Sequence, residues 1–398
     1  MIDLDDRRPS APARVCAAAA PDGTTRATAA RYLLTPAQLG ESLAMAAPPS
    51  LRNAVVAGMQ ATLAVVVALV CFHHSPWPQL VGFGALGALA SLFGRYASRA
   101  RRRRTVFLSA FLLAAATLAT SAAAQAGASP AAMVLVLALM AGVSTVAVSS
   151  WGLGGPGAVI VVFAAGAALG APGSWEAVFA RAAATAGGGM LAWIICALTD
   201  RLRHEEPAAG AFPSDPPRPM AHRLIAAGRI AVGAAVAALL AHAAGWQHPS
   251  WAAIGATAVM QGGHLHITMS RALQRMAGTV VGAGVAGAIL AQSPSFWVVV
   301  GLIALFQFVT EIIIGYNYAL GQITVTPMAL LMTHLAAPAM AGNMAIERVF
   351  DTVAGAAAGI VLAVLFSSLD DRAHLARHRG AATRGSDAGL PGPAREPA

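Results

Sequence analysis

Few side chains in this sequence can do chemistry, and what makes them informative is where they stand. Glu347, Arg348 and Asp351 open the last of a series of apolar segments, and Arg181 follows Trp175, Glu176 and Phe179 at the start of an earlier one. A charge at the centre of a membrane helix costs about 2.5–3.5 kcal/mol on insertion scales, so it normally faces a cavity or a partner. Arg348 and Asp351 are three residues apart, share a helix face and can pair there, which would anchor a helix end. The alternative is that Arg181 and Arg348 form a two-member cationic ring that attracts an organic anion. Glu311, in Phe308-Val309-Thr310-Glu311, can carry a proton; equally, it can reach water or pair with a nearby Arg. Arg229, a turn or two into its segment, is either a partner for Glu311 or a snorkelling side chain.

Aromatic groups accompany these charges. Tyr316, Tyr318 and Trp251 can stack on a ring-bearing ligand, whereas Trp77, Trp246 and Trp251 at segment ends are also the expected membrane-interface anchors. His264 and His266, two apart, suit a metal poorly, and Cys16, Cys71 and Cys196 form neither a CxxC nor a disulfide framework. No metal and no cofactor is expected. A Walker-type loop needs a Lys that the chain lacks, and no nucleophile–base arrangement stands out, so the reading is not an enzyme.

The elements that must position these residues follow from composition. Of 398 residues 57% are hydrophobic and 11% charged, with mean hydropathy +0.65. Soluble domains are about a quarter charged. The net charge of +9 is carried by Arg alone. A basic balance alone would suggest nucleic acid, but the long Ala, Val, Leu and Gly runs argue against it and assign the charge to a membrane surface.

Apolar stretches recur at about the 20 residues needed to cross a bilayer. About twelve are expected, near 53–72, 78–94, 105–124, 131–149, 156–171 and 178–198, then 223–243, 249–263, 273–291, 296–314, 318–336 and 346–367. Arg95 to Arg104, Arg201 to Arg223, Arg271 with Arg275, and Arg372 to Arg379 then fall on one side, predicting that both termini are cytoplasmic. The expected fold is an all-α integral membrane protein of about 12 transmembrane helices in two parallel six-helix repeats. Residues 1–50 would be a disordered tail, 51–200 the first repeat, 201–222 a Pro-rich linker, 223–367 the second repeat and 368–398 a second disordered tail.

The repeats rest on spacing. His74 with Trp77 matches His248 with Trp251, and Arg101 with Thr105 matches Arg275 with Thr279, each 174 positions on; Arg181, Thr185 and Gly188 match Arg348, Thr352 and Gly355 at 167. With six spans between equivalents, the copies share one topology about an axis along the membrane normal, with the functional cavity on that axis. Gly278 with Gly282, and Gly355 with Gly359, have the spacing of close helix contacts.

The run Trp251-Ala-Ala-Ile-Gly-Ala-Thr-Ala-Val-Met-Gln261, then Thr268, Arg271, Arg275, Gly278-Thr279 and Gly282, resembles the membrane domain of the fusaric acid resistance protein-like family, the aromatic acid exporters. Tyr316, Tyr318, Thr324-Val-Thr326-Pro327 and Arg348-Val-Phe-Asp351-Thr352 with Gly355 agree, and Gly262 stands where the family often has Pro. The resemblance covers roughly residues 223–367. It implies a bacterial inner-membrane transporter that exports aromatic or other weak organic acids on the proton gradient. The implied partners are a small organic anion, protons and the lipid bilayer, with a homo-oligomer left open. A passive organic-anion channel is the alternative; flux after collapse of the proton gradient separates the two. A third reading is a non-transporting scaffold whose Arg101 to Arg104 bind anionic lipid.

Overall fold

The computed structural model describes residues 25–45, 50–203, 219–336 and 343–387, the last seven of these by backbone alone. Among the described residues every regular element is helical: α1 (Arg26–Leu33), α2 (Pro36–Leu43), α3 (Leu51–His73), α4 (Val81–Ala88), α5 (Arg99–Gln125), α6 (Pro130–Trp151), α7 (Ala158–Ala167), α8 (Trp175–Thr199), α9 (Met220–Ala243), α10 (Pro249–Met260), α11 (Leu265–Leu290), α12 (Phe296–Ile313), α13 (Tyr318–Ala336), α14 (Met344–Leu365) and α15 (Leu369–Asp387), with short 3-10 turns at 78–80, 89–92 and 200–202. Local chemistry sets several starts. Ser50, Ser129 and Ser174 each accept a hydrogen bond from the backbone N–H three residues on, which satisfies an otherwise orphaned donor. Pro130 and Pro249 open α6 and α10, where a missing N–H costs nothing.

α3 to α14 correspond to the twelve expected apolar segments, but eight helices among the described residues are long and apolar enough to cross a membrane: α3, α5, α6, α8, α9, α11, α12 and α14. That corrects the count of about twelve. α4 with its flanking turns, α7 and α10 run 15, 10 and 12 residues, about 15–22 Å at 1.5 Å per residue, too short for a ~30 Å hydrocarbon core. Short helices survive at membrane depth when protein surrounds them. Accordingly, Ser250 through Val259 of α10 are all buried, as is every residue of α4 but Phe83.

Helix packing has a pattern. Within the first six, α5 packs on α8, α4 on α8, α3 on α4 and α8, and α7 on α5 and α6; six helices on, α11 packs on α14, α10 on α14, α9 on α10 and α14, and α13 on α11 and α12. Across the halves α6 meets α9 as α12 meets α3, and α7 meets α10 as α13 meets α4. Glycine makes the tightest approaches. A Cβ on Gly87 would collide with the Thr185 carbonyl, and one on Gly188 with the Gly84 carbonyl; in the other half Gly355 lies against the Ala252 carbonyl, and a Cβ on Gly255 would come 3.4 Å from that of Thr352. α11 approaches α13 through Gly278 and Gly282. Pro327 inside α13 has no N–H for the Ile323 carbonyl, and that carbonyl faces Gly282.

Part of each expected disordered tail is helical. Ala29 and Leu33 of α1 and Leu375 of α15 bury against Leu265, Met269 and Ala363 in a separate apolar cluster. α2 is tied to α11 by Gln38 and Ser42, both reaching the Ser270 hydroxyl. Burial of these few apolar side chains offsets the ordering cost that polar composition alone would leave unmet. The rest of the tails, 1–24, 46–49 and 388–398, and most of the Pro-rich linker, 204–218, lie outside the described residues.

Candidate functional site

The helical repeat puts Arg348, Asp351, Thr352 and Gly355 on one face of α14. All four are buried, Arg348 at 3% exposure and Asp351 at 0%. Because Gly355 has no side chain, α10 packs directly on this face, bringing Trp251 with it. The Arg348 guanidinium carbon lies 5.0 Å from the Trp251 ring centroid. His248 stacks on the same indole, 4.1 Å between centroids and 9° between planes, and its Nδ1 is 2.6 Å from Oε2 of Glu347. From α11, buried Arg275 donates to the Tyr318 hydroxyl at 3.0 Å and to Oε1 of Gln322 at 3.4 Å, both on α13.

Several buried polar atoms here have no hydrogen-bond partner: Nε and Nη1 of Arg348, Nε of Arg275, both carboxylate oxygens of Asp351, and the hydroxyls of Thr257, Thr279, Thr326 and Thr352. Leaving such groups unpaired is costly. The expected bond between Arg348 and Asp351 is not made, because Arg348 extends across to Trp251 on α10 rather than along its own helix. Two guanidinium groups beside aromatic rings suit an organic carboxylate, since guanidinium recognises carboxylate in a fork and stacks on aromatic faces.

Arg181 has a different setting. It lies 5.1 Å from the Phe83 ring of α4 and donates to the Gly170 carbonyl at 2.6 Å. Arg181 and Arg348 therefore each face a different aromatic ring, Phe83 and Trp251. Gly170 also lines a cavity of about 380 Å³, bounded by Met133, Leu137 and His242 and, at the start of α10, by Gln247, Pro249 and Ser250 on either side of His248.

The remaining expected residues lie elsewhere. Glu311 pairs with Arg95 at 3.2 Å, both nearly buried, and accepts from Gln307 Nε2. Arg229 pairs with Asp371 of α15 at 3.4 Å, not with Glu311. Tyr316 is half-buried in the turn before α13. Trp77 is exposed, as an interface anchor would be, whereas Trp251 is 5% exposed and buried in the cluster. Sequence reasoning used His248, Arg275 and Arg95 for repeat spacing, topology and the family resemblance, but not as site residues. Arg275 lies ten residues inside α11, too deep for the connecting loop to which its charge had been assigned, and that depth was the available signal.

All the clustered residues come from the stretch between α10 and α14. Residues 235–382 match the family described as fusaric acid resistance protein-like. The resemblance read from the motifs therefore holds over that stretch, and every residue of the Arg348 cluster falls inside the fusaric acid resistance protein-like segment, while Arg181, Arg229 and Arg95 fall outside it. The chain is also 37% identical over 124 residues to a Bacillus subtilis (strain 168) protein named "Uncharacterized membrane protein YvaC". The match takes in 31% of this chain and 20% of that protein, so the chain spans about a fifth of the relative's length. No solved structure matches.

Proposed function

We propose that this protein is a bacterial inner-membrane exporter of aromatic or other weak organic acids, driven by the proton gradient. The observation that carries this reading is Arg348, buried over Trp251 beside Arg275 with guanidinium nitrogens unpartnered, in the segment that matches the family. The substrate carboxylate binds Arg348 and Arg275, and its ring lies in the aromatic environment of Trp251 and Tyr318. Moving a bare carboxylate into low dielectric is expensive, and a matched guanidinium offsets that cost. Asp351 and the His248–Glu347 pair stand close enough to take up protons as the anion leaves. The cavity next to His248 provides the route, and Arg181 donates to Gly170 in its lining.

The helix pairs that recur six positions on support two six-helix repeats about an axis along the membrane normal. The Arg-rich connections support cytoplasmic termini. One apolar core cluster includes residues of both halves, among them Leu69, Leu86, Ile254 and Leu331. That continuity favours alternating exposure of a buried site over an open anion channel.

The test is efflux from proteoliposomes loaded with a panel of aromatic and aliphatic carboxylates, with and without a pH step. Proton-dependent efflux that Arg348→Ala abolishes is expected. Flux that follows membrane potential alone, or that survives Arg348→Ala for every acid, overturns the assignment.

A further inference from the structure

Four histidines from two distant parts of the chain form a ladder where α15 docks on the start of α11. His264 stacks on His374 and His266 on His378, each at 4.1 Å between centroids and 16° between planes. The cross pairs His264–His266 and His266–His374 are 6.0 and 5.7 Å apart and also near parallel. Among the described residues no such group is arranged to hold a metal ion; the rings present faces to one another rather than lone pairs to a common point. Nδ1 of His264 and of His266 are buried without a hydrogen-bond partner.

We propose that this ladder is a proton-operated clasp: neutral imidazoles hold α15 on the Arg-rich end of the bundle, and protonation of the stack releases it. Parallel imidazoles at 4.1 Å attract as flat aromatic faces when neutral and repel as cations with little water between them. The charges around the ladder cannot absorb four added protons. Glu41 of α2 is 3.4 Å from His378 but is shared with Arg379 at 3.2 Å. Asp371 of α15 is engaged by Arg229 of α9. Arg377 on α15 adds positive charge. From α1, the Tyr32 carbonyl accepts from Arg379.

Burial first, then His264, Arg377 and His378, hold the His374 imidazole below its ordinary value, against a smaller pull from Asp371. A group with a depressed folded value stabilises docking above its free value of about 6.5, and that contribution is lost as pH falls below it. Docking is therefore complete at neutral pH and weakens on acidification. An undissociated weak acid that enters a cell releases its proton inside, so acidification on this side would report acid load. That consequence for flux rests on the export reading and on α15 facing the cytoplasm; the clasp does not.

Hydrogen–deuterium exchange of residues 369–380 in the full-length protein, corrected for intrinsic rate, tests the clasp between about pH 7.5 and about pH 5.5, values that bracket the free imidazole. Protection is expected to fall about tenfold or more on acidification, while residues 220–260 keep theirs. The quadruple variant His264→Phe, His266→Phe, His374→Phe and His378→Phe keeps flat rings but cannot take up protons there, and should hold α15 at both values. The single variant His374→Phe, which leaves the His266–His378 pair intact, should show a reduced shift. Wild-type protection that does not change, or phenylalanine variants that release α15 as wild type does, overturns the clasp. Failure of efflux with the exchange switch intact counts against the export reading alone.

Discussion

Arg348 lies over the ring of Trp251 as Arg181 lies over Phe83, at 5.0 and 5.1 Å. Trp251 follows Phe83 by 168 positions, and Arg348 follows Arg181 by 167. The same register relates Gly255 to Gly87 at the contact with Thr352 or Thr185. By these contacts Trp251 corresponds to Phe83 and not to Trp77, its match by residue type. The halves share an arginine–aromatic contact, but in the second the arginine is buried at 3% exposure and joined by Arg275 and His248, while Arg181 is half-exposed and bound to a backbone carbonyl.

The Arg348 cluster predicts a split between stability and transport. Arg348→Ala removes the buried guanidinium that lies over Trp251 and should lower the melting temperature through about 2–4 kcal/mol of lost packing. Adding Asp351→Asn should leave efflux absent. Arg348→Lys should fold but transport poorly, since a point charge cannot replace a stacked fork. Efflux restored by the double variant would refute the role.

Gly188→Ala and Gly355→Ala each drive a methyl group into a backbone carbonyl of the neighbouring helix. Each should destabilise the protein by about 1–3 kcal/mol, read as a lower melting temperature. Gly228→Ala on α9 meets nothing within 4 Å and should be neutral or stabilising by up to about 1 kcal/mol through helix propensity. Equal effects at the three sites would contradict the packing described.

Arg95 and Glu311 join the loop before α5 to the end of α12. Arg95→Ala should cost about 3 kcal/mol by stranding a buried carboxylate, and adding Glu311→Gln should return much of it. A double-mutant cycle in chemical denaturant measures the coupling; two additive losses would show that the pair is not interacting.

Leu375 is 1% exposed and fills the cluster that docks α15 and α1 on α11. Leu375→Ala should weaken that docking by about 2–4 kcal/mol and raise hydrogen exchange in α1 and α15 together. Leu369→Ala, at a position 74% exposed, is the control and should change neither helix.

Hydropathy and helical spacing determined much from the sequence alone: apolar segments at α3 to α14, and Glu347, Arg348, Asp351 and Gly355 at the start of α14, with the last three on one face. These are local properties, since a 3.6-residue period ties each side chain to neighbours one turn away. Tertiary structure alone decided that α4, α7 and α10 are short, because apolar length in sequence does not reveal a 3-10 turn or a buried half-length helix; Pro327 inside α13 was legible. That structure alone brought Arg348 to Trp251, 97 positions away, Glu311 to Arg95, 216 away, and His264 to His374, 110 away. Such partners are set by which helix faces meet, and that depends on glycine contacts between helices that no single helix encodes.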